Sequence, residues 1–237
     1  MDKPRILIII PAHNEAASLA GVIREIRSAV EADIVVVNDH STDDTAAVAL
    51  RENVELLSLP FNVGIGGTMQ TGFKFACREG YEVAVQVDGD GQHDPSELPV
   101  ILGPVLAGEY DLVVGSRYLE PGNYKGAAGR RVGTAIFSRL LSLMTREHVT
   151  DGTSGFRAID RELIEIFARD YPRDYPEVEA ILLAHKARKR IMEAPVHMRQ
   201  RGGGRSSINT FRSVYYMVKV LLALMVVATR KRAQGSQ

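Results

Sequence analysis

Short apolar runs rich in β-branched residues alternate along the first half of the chain with stretches of helical period. The runs are Arg5 to Ile10, Ile34 to Val37, Val54 to Leu59, Val83 to Val87 and Leu112 to Val114. Each is bounded by polar, Gly- or Pro-containing turns and reads as a strand, a buried one at Ile34 to Val37 and Val83 to Val87. Between them, Leu19, Val22, Ile23 and Ile26 mark one face of a helix. Further helices are predicted over 43–51, with Ser41 or Thr42 as N-cap, and over 68–78, 96–106, 132–144 and 180–187. A late strand is predicted over 191–198. Strands alternating with helices imply right-handed crossovers. The fold class is α/β, a mainly parallel central sheet with helices on both faces.

The polar residues gather where strands end. Pro11-Ala12-His13-Asn14-Glu15 follows the first strand, Asn38-Asp39-His40-Ser41 the second, and Asp88-Gly89-Asp90-Gly91-Gln92 the fourth. In a parallel sheet these loops share one edge, the edge at which ligands bind. Asp88, Asp90 and Gln92 are three oxygen-bearing side chains at alternate positions, without cysteine. That set suits a hard cation, Mg²⁺ or Mn²⁺, held partly by a substrate's phosphates; an acidic turn opening the next helix at Asp94-Pro95 is the plainer reading. Gly64-Ile65-Gly66-Gly67 does not match a dinucleotide fingerprint, since Met69 stands at the third glycine position and the first strand should carry the motif. The expectation there is a turn that opens a helix toward an anionic ligand.

Later turns add cationic and polar groups. Ser116-Arg117-Tyr118 ends the fifth strand, and a Gly-rich segment from Pro121 to Gly129, readable as a lid or as a plain surface loop, leads to Arg130-Arg131. Thr150 to Arg157 reads as a compact polar turn before a helix. Glu177 and Glu179 head the helix over 180–187, and Arg199 to Ser207 is a basic loop.

At 237 residues and 45% hydrophobic content, the chain can bury one large domain. Net charge is zero, but residues 1–100 carry sixteen acids against seven Lys/Arg, whereas His185 to the end carries twelve Lys/Arg against the single acid Glu193. An acidic, metal-compatible front and a phosphate- or membrane-facing back follow. Cys77 is the only cysteine and is expected to pack inside its helix; no internal disulfide is available, which suits a reducing compartment. Ile6 to Ile10 is too short for a signal-peptide core. From Val214 to Ala228 the tail is mostly apolar, but it is interrupted by Lys219 and shorter than the about 20 residues of a spanning helix. It reads as an amphipathic C-terminal helix for a membrane surface or an oligomer interface. The expected division is 1–210 for the catalytic domain and 211–237 for helix and tail. A nucleic-acid module is excluded by the absence of Trp and of aromatics interleaved with the basic residues.

Taken in order, IIIPAHNE, VVVNDHSTDDT, NVGIGG, QVDGDGQHDP, GSRY and DGTSGFR resemble the motif series of family 2 glycosyltransferases, over about residues 4–210. The resemblance is to the branch of dolichol- and polyprenyl-phosphate sugar transferases. It implies a GT-A fold and an inverting, metal-dependent transfer from a UDP- or GDP-sugar to a polyprenyl-phosphate acceptor, at the cytoplasmic face of the membrane. Carried over by residue, Pro11, Ala12, His13, Glu15, Asp39 and Gly67 line the nucleotide-sugar site. Asp88 and Asp90 form the DXD-type motif, with Gln92 beside Asp90 at the metal. Arg117 and Arg131 meet the acceptor phosphate, Ser154 lies where sugar and acceptor meet, and Arg201 and Ser206 help close over the diphosphate. His13 departs from the Tyr usual in that branch. The acidic base of sugar-to-hydroxyl enzymes has no evident match, Glu179, Glu177 and Asp151 being the candidates. The same donor chemistry onto a saccharide hydroxyl is thus an open alternative, as is a non-catalytic nucleotide-sugar-binding or membrane-complex subunit.

Overall fold

The computed structural model describes residues 3–119, 128–173 and 176–199, without the side chains of 128–134. The elements run β1 (Ile6–Ala12), α1 (Leu19–Ala29), β2 (Asp33–Asn38), α2 (Thr45–Arg51), β3 (Glu55–Ser58), α3 (Gly64–Arg78), β4 (Val83–Gln86), α4 (Leu98–Leu106), β5 (Leu112–Ser116), α5 (Ala128–Thr145), β6 (Arg157–Asp160), α6 (Arg161–Arg169), α7 (Pro176–Lys186) and β7 (Ile191–Pro195). They form one seven-stranded sheet in the order β3-β2-β1-β4-β6-β5-β7. Alternate residues of the central strands enter opposite cores, as the two-residue period of a strand requires. Ile8, Ile10, Val36 and Val85 pack under α1, α2 and α4. Leu7, Ile9, Val37 and Ala84 pack under α3, α5, α6 and α7. Helices therefore cover both faces, as expected.

The expectation of a mainly parallel sheet holds with one insertion. β6 runs antiparallel to both β4 and β5, with Arg157 opposite Gln86 on one side and Val114 on the other. The sequence read this segment as a turn leading directly into a helix. Its four residues are too few to show strand alternation, and pairing on both edges supplies the order that local pattern lacks. Because β6 runs backwards, it starts at the edge where β4 and β5 end. The turn before it is thereby carried into the same edge as the loops after β1, β2 and β4.

Smaller departures have local causes. Neither Ser41 nor Thr42 caps α2, which begins at Thr45; the Asp43 carboxylate takes the Thr45 N–H at 3.0 Å. A 3-10 turn, Pro95–Glu97, precedes α4, with the Asp94 side chain accepting the Ser96 N–H at 3.1 Å. Cys77 is exposed rather than packed, since the buried stripe of α3 carries Met69, Phe73 and Ala76. Phe73 meets Phe167 and Tyr171 at centroid distances of 5.4 and 5.1 Å, which fastens α3 to the end of α6. Among the described residues, no helix is long and apolar enough to cross a membrane. The expected helix and tail over 211–237, with the boundary at 210, lie outside the described residues.

Candidate active site

The loops after β1, β2 and β4 are tied to each other as well as to their own strands. Asn14 N–H donates to Ser41 Oγ at 3.0 Å, Thr42 N–H to Asn14 Oδ1 at 2.8 Å, and Glu15 N–H to Thr45 Oγ1 at 2.9 Å. Ser18 Oγ donates to the Gly89 carbonyl at 2.7 Å. Between them lies a cleft lined by Pro11, Ala12, His13, Glu15, Asp39, Asp88 and Asp90, each of them expected there. Ile65, Thr68, Gly89 and Glu177 complete it. The edge loops of three strands make one site.

Asp39 also does something the sequence did not show. It is 4% exposed, and its two carboxylate oxygens accept the N–H groups of Val63 at 2.7 Å and Gly64 at 3.0 Å. These are donors at the start of α3, so the anion at this helix N-terminus is a side chain of the chain itself. That corrects the picture of the Gly64–Gly67 turn as opening toward a ligand anion. It also explains why α3 begins at Gly64 rather than at residue 68. The glycines serve packing: a Cβ on Gly66 would sit 2.2 Å from the Pro172 carbonyl oxygen, and one on Gly67 2.7 Å from Val63 Cγ2.

The turn after β4 orients its carboxylates from several sides. Gln86 Nε2 donates to Asp88 Oδ1 at 3.0 Å, and Asp88 N–H donates to His93 Nδ1 at 3.0 Å. Accepting there places the neutral imidazole's proton on Nε2, which lies 3.5 Å from Asp88 Oδ2. His93 is 4% exposed and stacks on Phe156 at 5.0 Å between centroids, so Asp88 rests on a packed ring. Gln92 N–H donates to Asp90 Oδ1 at 3.0 Å, and the Gln92 side-chain amide donates to Asp90 Oδ2. No group of three or more His, Cys, Asp or Glu gathers into a cation site among the described residues. Two carboxylates on one turn, beside an amide, are the donor set for a hard cation that takes its other ligands from phosphate and water. The residues fit Mg²⁺ or Mn²⁺ in that manner. Gln92 thus holds both oxygens of Asp90.

Across β6, Arg117 follows β5 at the same edge, two strand spacings or roughly 10 Å from β4. Its guanidinium grips Asp151 in a fork, Nε to Oδ2 at 2.6 Å and Nη2 to Oδ1 at 2.8 Å, and Nη2 also reaches Thr153 Oγ1 at 2.9 Å. Asp151 is fully buried. Arg157, 5% exposed, donates from Nε to the Ser154 carbonyl at 2.6 Å and from Nη2 to the Gly152 carbonyl at 3.1 Å. Gly155 packs against the turn after β4: a Cβ there would lie 2.6 Å from Gln86 Nε2 and 3.3 Å from Asp88 Oδ1. One turn thus bridges the carboxylates and the arginine.

Ser154 is expected beside the reacting groups, but it is 1% exposed, with Oγ accepting the Phe156 N–H at 3.3 Å. It builds the turn from inside. Of the two acids heading α7, Glu177 lines the cleft, whereas Glu179 is 8% exposed and does not. Burial pushes the Glu177 carboxyl up, Arg157 opposes that shift and Asp88 adds to it. Arg201 and Ser206 lie outside the described residues, as does the Arg131 side chain. Arg157 closes the DGTSGFR motif, which does not by itself show that it holds the turn's carbonyls; for Glu193 the only sign was its being the single acid in a basic stretch.

A doubly covered α/β sheet with an acid-rich turn after β4 and an antiparallel β6 defines a GT-A-type glycosyltransferase. The sequence model of glycosyl transferase family 2 matches residues 7–167, and the chain belongs to that family. It is 32% identical over 220 residues to the undecaprenyl-phosphate mannosyltransferase of Micrococcus luteus, covering 86% of this chain and 88% of that one. It is 29% identical over 217 residues to the UDP-N-acetylglucosamine–dolichyl-phosphate N-acetylglucosaminyltransferase of Methanococcus voltae, covering 83% and 86%. In fold it is similar to glucosyl-3-phosphoglycerate synthase from Mycobacterium tuberculosis, crystallised with Mn²⁺, UDP and phosphoglyceric acid. The TM-score is 0.73 at 22% identity, covering 97% of this chain and 80% of that one. The expected GT-A fold, the family and the glycosyltransferase activity are all borne out.

Proposed function

We propose that this glycosyltransferase moves a sugar from a UDP- or GDP-sugar to a polyprenyl-phosphate lipid in one in-line displacement with inversion. The observation that carries it is the turn over 151–155, which joins the Asp88–Asp90 carboxylates to an oriented arginine at one sheet edge. An acceptor phosphate oxygen attacks the anomeric carbon, the bond from that carbon to the β-phosphate oxygen breaks, and the nucleoside diphosphate leaves with the electron pair. His13 and Asp39 bound the nucleoside end of the cleft, whose lining also includes Gly89 and Thr68. A phosphate monoester is already anionic near neutral pH, so it needs placement more than deprotonation. Arg117 and Arg131 supply the placement, and Arg201 and Ser206 the closure. Asp88 and Asp90 would hold Mg²⁺ or Mn²⁺, which would supply charge neutralisation to the leaving diphosphate. The relatives named for undecaprenyl- and dolichyl-phosphate transfer support this acceptor, and the basic tail supports a peripheral site at the cytoplasmic membrane face.

A saccharide hydroxyl is the second reading, favoured by one observation: Glu177, its carboxyl raised by burial, lines the cleft where a general base would act. Calorimetric titration with UDP, GDP, UDP-glucose and GDP-mannose, with and without Mn²⁺, names the donor. Transfer assays with polyprenyl phosphate and with a free saccharide then separate the acceptors. Binding of neither nucleotide under any condition sinks both readings in favour of a non-catalytic subunit.

A further inference from the structure

Glu193 stands on β7, opposite Val114 of β5, and is the one acid in the basic C-terminal stretch. The three groups that hydrogen-bond its carboxylate are all donors. Oε2 accepts Thr150 N–H at 2.7 Å and Thr150 Oγ1 at 2.6 Å, and Oε1 accepts Asp151 N–H at 2.7 Å. A carboxylate has only acceptor sites, so the Thr150 hydroxyl proton points at Glu193. That leaves the Thr150 oxygen to accept from Ser116 Oγ, 2.6 Å away, and Ser116 Oγ in turn accepts Tyr118 N–H at 3.2 Å. Proton directions along Tyr118, Ser116, Thr150 and Glu193 are fixed from one end.

Two lines therefore run from Glu193 to Arg117. One passes through Ser116 and Tyr118 and holds the arginine's backbone on both sides. The other passes through Asp151, whose N–H Glu193 grips while its carboxylate holds the guanidinium. We propose that Glu193, far outside the recognisable motifs, is a positioning residue for Arg117 and sets the direction in which that guanidinium faces the acceptor. Arg157 holds the same turn by its carbonyls, but Glu193 alone grips both the Thr150 and Asp151 N–H groups. The donor side of the cleft is also tied by contacts among the loops after β1, β2 and β4 that do not pass through Glu193.

The kinetic arm of this inference rests on the reading of Arg117 as an acceptor-phosphate contact, and the spectroscopic arm does not. Misplacement of a positioning group by about 1 Å costs about 10²-fold. The expected result for Glu193→Ala is therefore a loss of about that size in kcat/KM for the lipid phosphate, with the nucleotide Kd unchanged. In an Arg117→Ala background, Glu193→Ala has no further effect on transfer. Multiplying losses in the double variant, or an equal loss of nucleotide affinity, overturn the relay. Glu193→Gln keeps the side-chain volume but turns an amide donor toward a backbone N–H; it is measured alongside so that a fold defect in the alanine variant does not decide the matter. The Arg117 Nε–H resonance, identified by its loss in Arg117→Lys, exchanges slowly in the wild type and at least tenfold faster in both Glu193 variants. An unchanged resonance overturns the relay. Wild-type protein that transfers nothing to polyprenyl phosphate overturns the acceptor reading instead, and the relay is then decided on the Nε–H signal.

Discussion

The two flanks of the sheet reach the same edge by different means. Strands β3, β2, β1 and β4 are parallel and successive units pack through apolar strand faces; their loops are joined by Asn, Ser and Thr hydrogen bonds, with Asp39 capping α3. Ion pairs on that flank are peripheral, such as Lys3–Glu31, both 86% exposed. The flank of β6, β5 and β7 is fastened by charge instead. Asp151–Arg117 is 0% and 11% exposed, Asp111 receives a forked bond from Arg190, and Lys189 is 9% exposed between Asp160 and Glu162. Buried charge tolerates little displacement, whereas an apolar face can repack. The donor flank is built by regular topology, and the flank that carries Arg117 by distant, directional contacts.

The contrast can be broken most sharply at the site. Asp90→Ala abolishes turnover, a loss of at least about 10³-fold if this carboxylate anchors the metal. The melting temperature holds, and chelation of the wild type gives the same deficit; full activity in the variant removes the metal assignment. Next, Asp151→Ala leaves the Arg117 charge buried without its partner and costs about 3–5 kcal/mol in urea unfolding. Glu31→Ala on the other flank changes nothing measurable, because its pair is solvated. Equal effects at these two acids would erase the distinction between the flanks.

Gly66→Ala tests apolar packing on the donor flank. Its Cβ would meet backbone at Pro172, which cannot move as a side chain tip can, so about 1–3 kcal/mol is lost. The smallest effect concerns acid. The hydrogen-bonded Arg190 guanidinium holds the Asp111 carboxyl below its ordinary value of about 3.9. Stability from that shift is fully present above the ordinary value and drains away as pH falls through the lowered one. Asp111→Asn therefore loses about 1 kcal/mol at neutral pH, the half-exposed Arg190 limiting the figure, and unfolds with a shallower dependence on pH in acid. An unchanged acid profile would remove Asp111 from the account.

Much of the donor flank was legible along the chain. Strands β1, β2 and β4 are apolar runs rich in Ile or Val, Pro11 stands near the end of β1, and His13, Glu15, Asp39, Asp88 and Asp90 all follow strand ends, so topology alone brought them to the cleft. The other flank was not. Arg157-Ala158-Ile159-Asp160 is too short to announce β6, and nothing local marks Ser154 as turned inward or Glu177 rather than Glu179 as facing the cleft. Cys77 shows the same limit: helical period was right for α3, but the phase of its buried stripe depended on how α3 lies on Ile9 and Phe167.

By itself, the sequence determined the α/β class, the shared edge of the first loops and the two carboxylates offered there. These follow from hydrophobic period and from turns adjoining strands, both readable within a few residues. Only the tertiary structure decided that Asp39 occupies the start of α3, that β6 enters backwards between β4 and β5, and that Glu193 reaches Thr150 and Asp151 across more than forty positions. A charge's partner is set by where remote strands come to lie, and that placement is a property of the packed sheet rather than of any one stretch of chain.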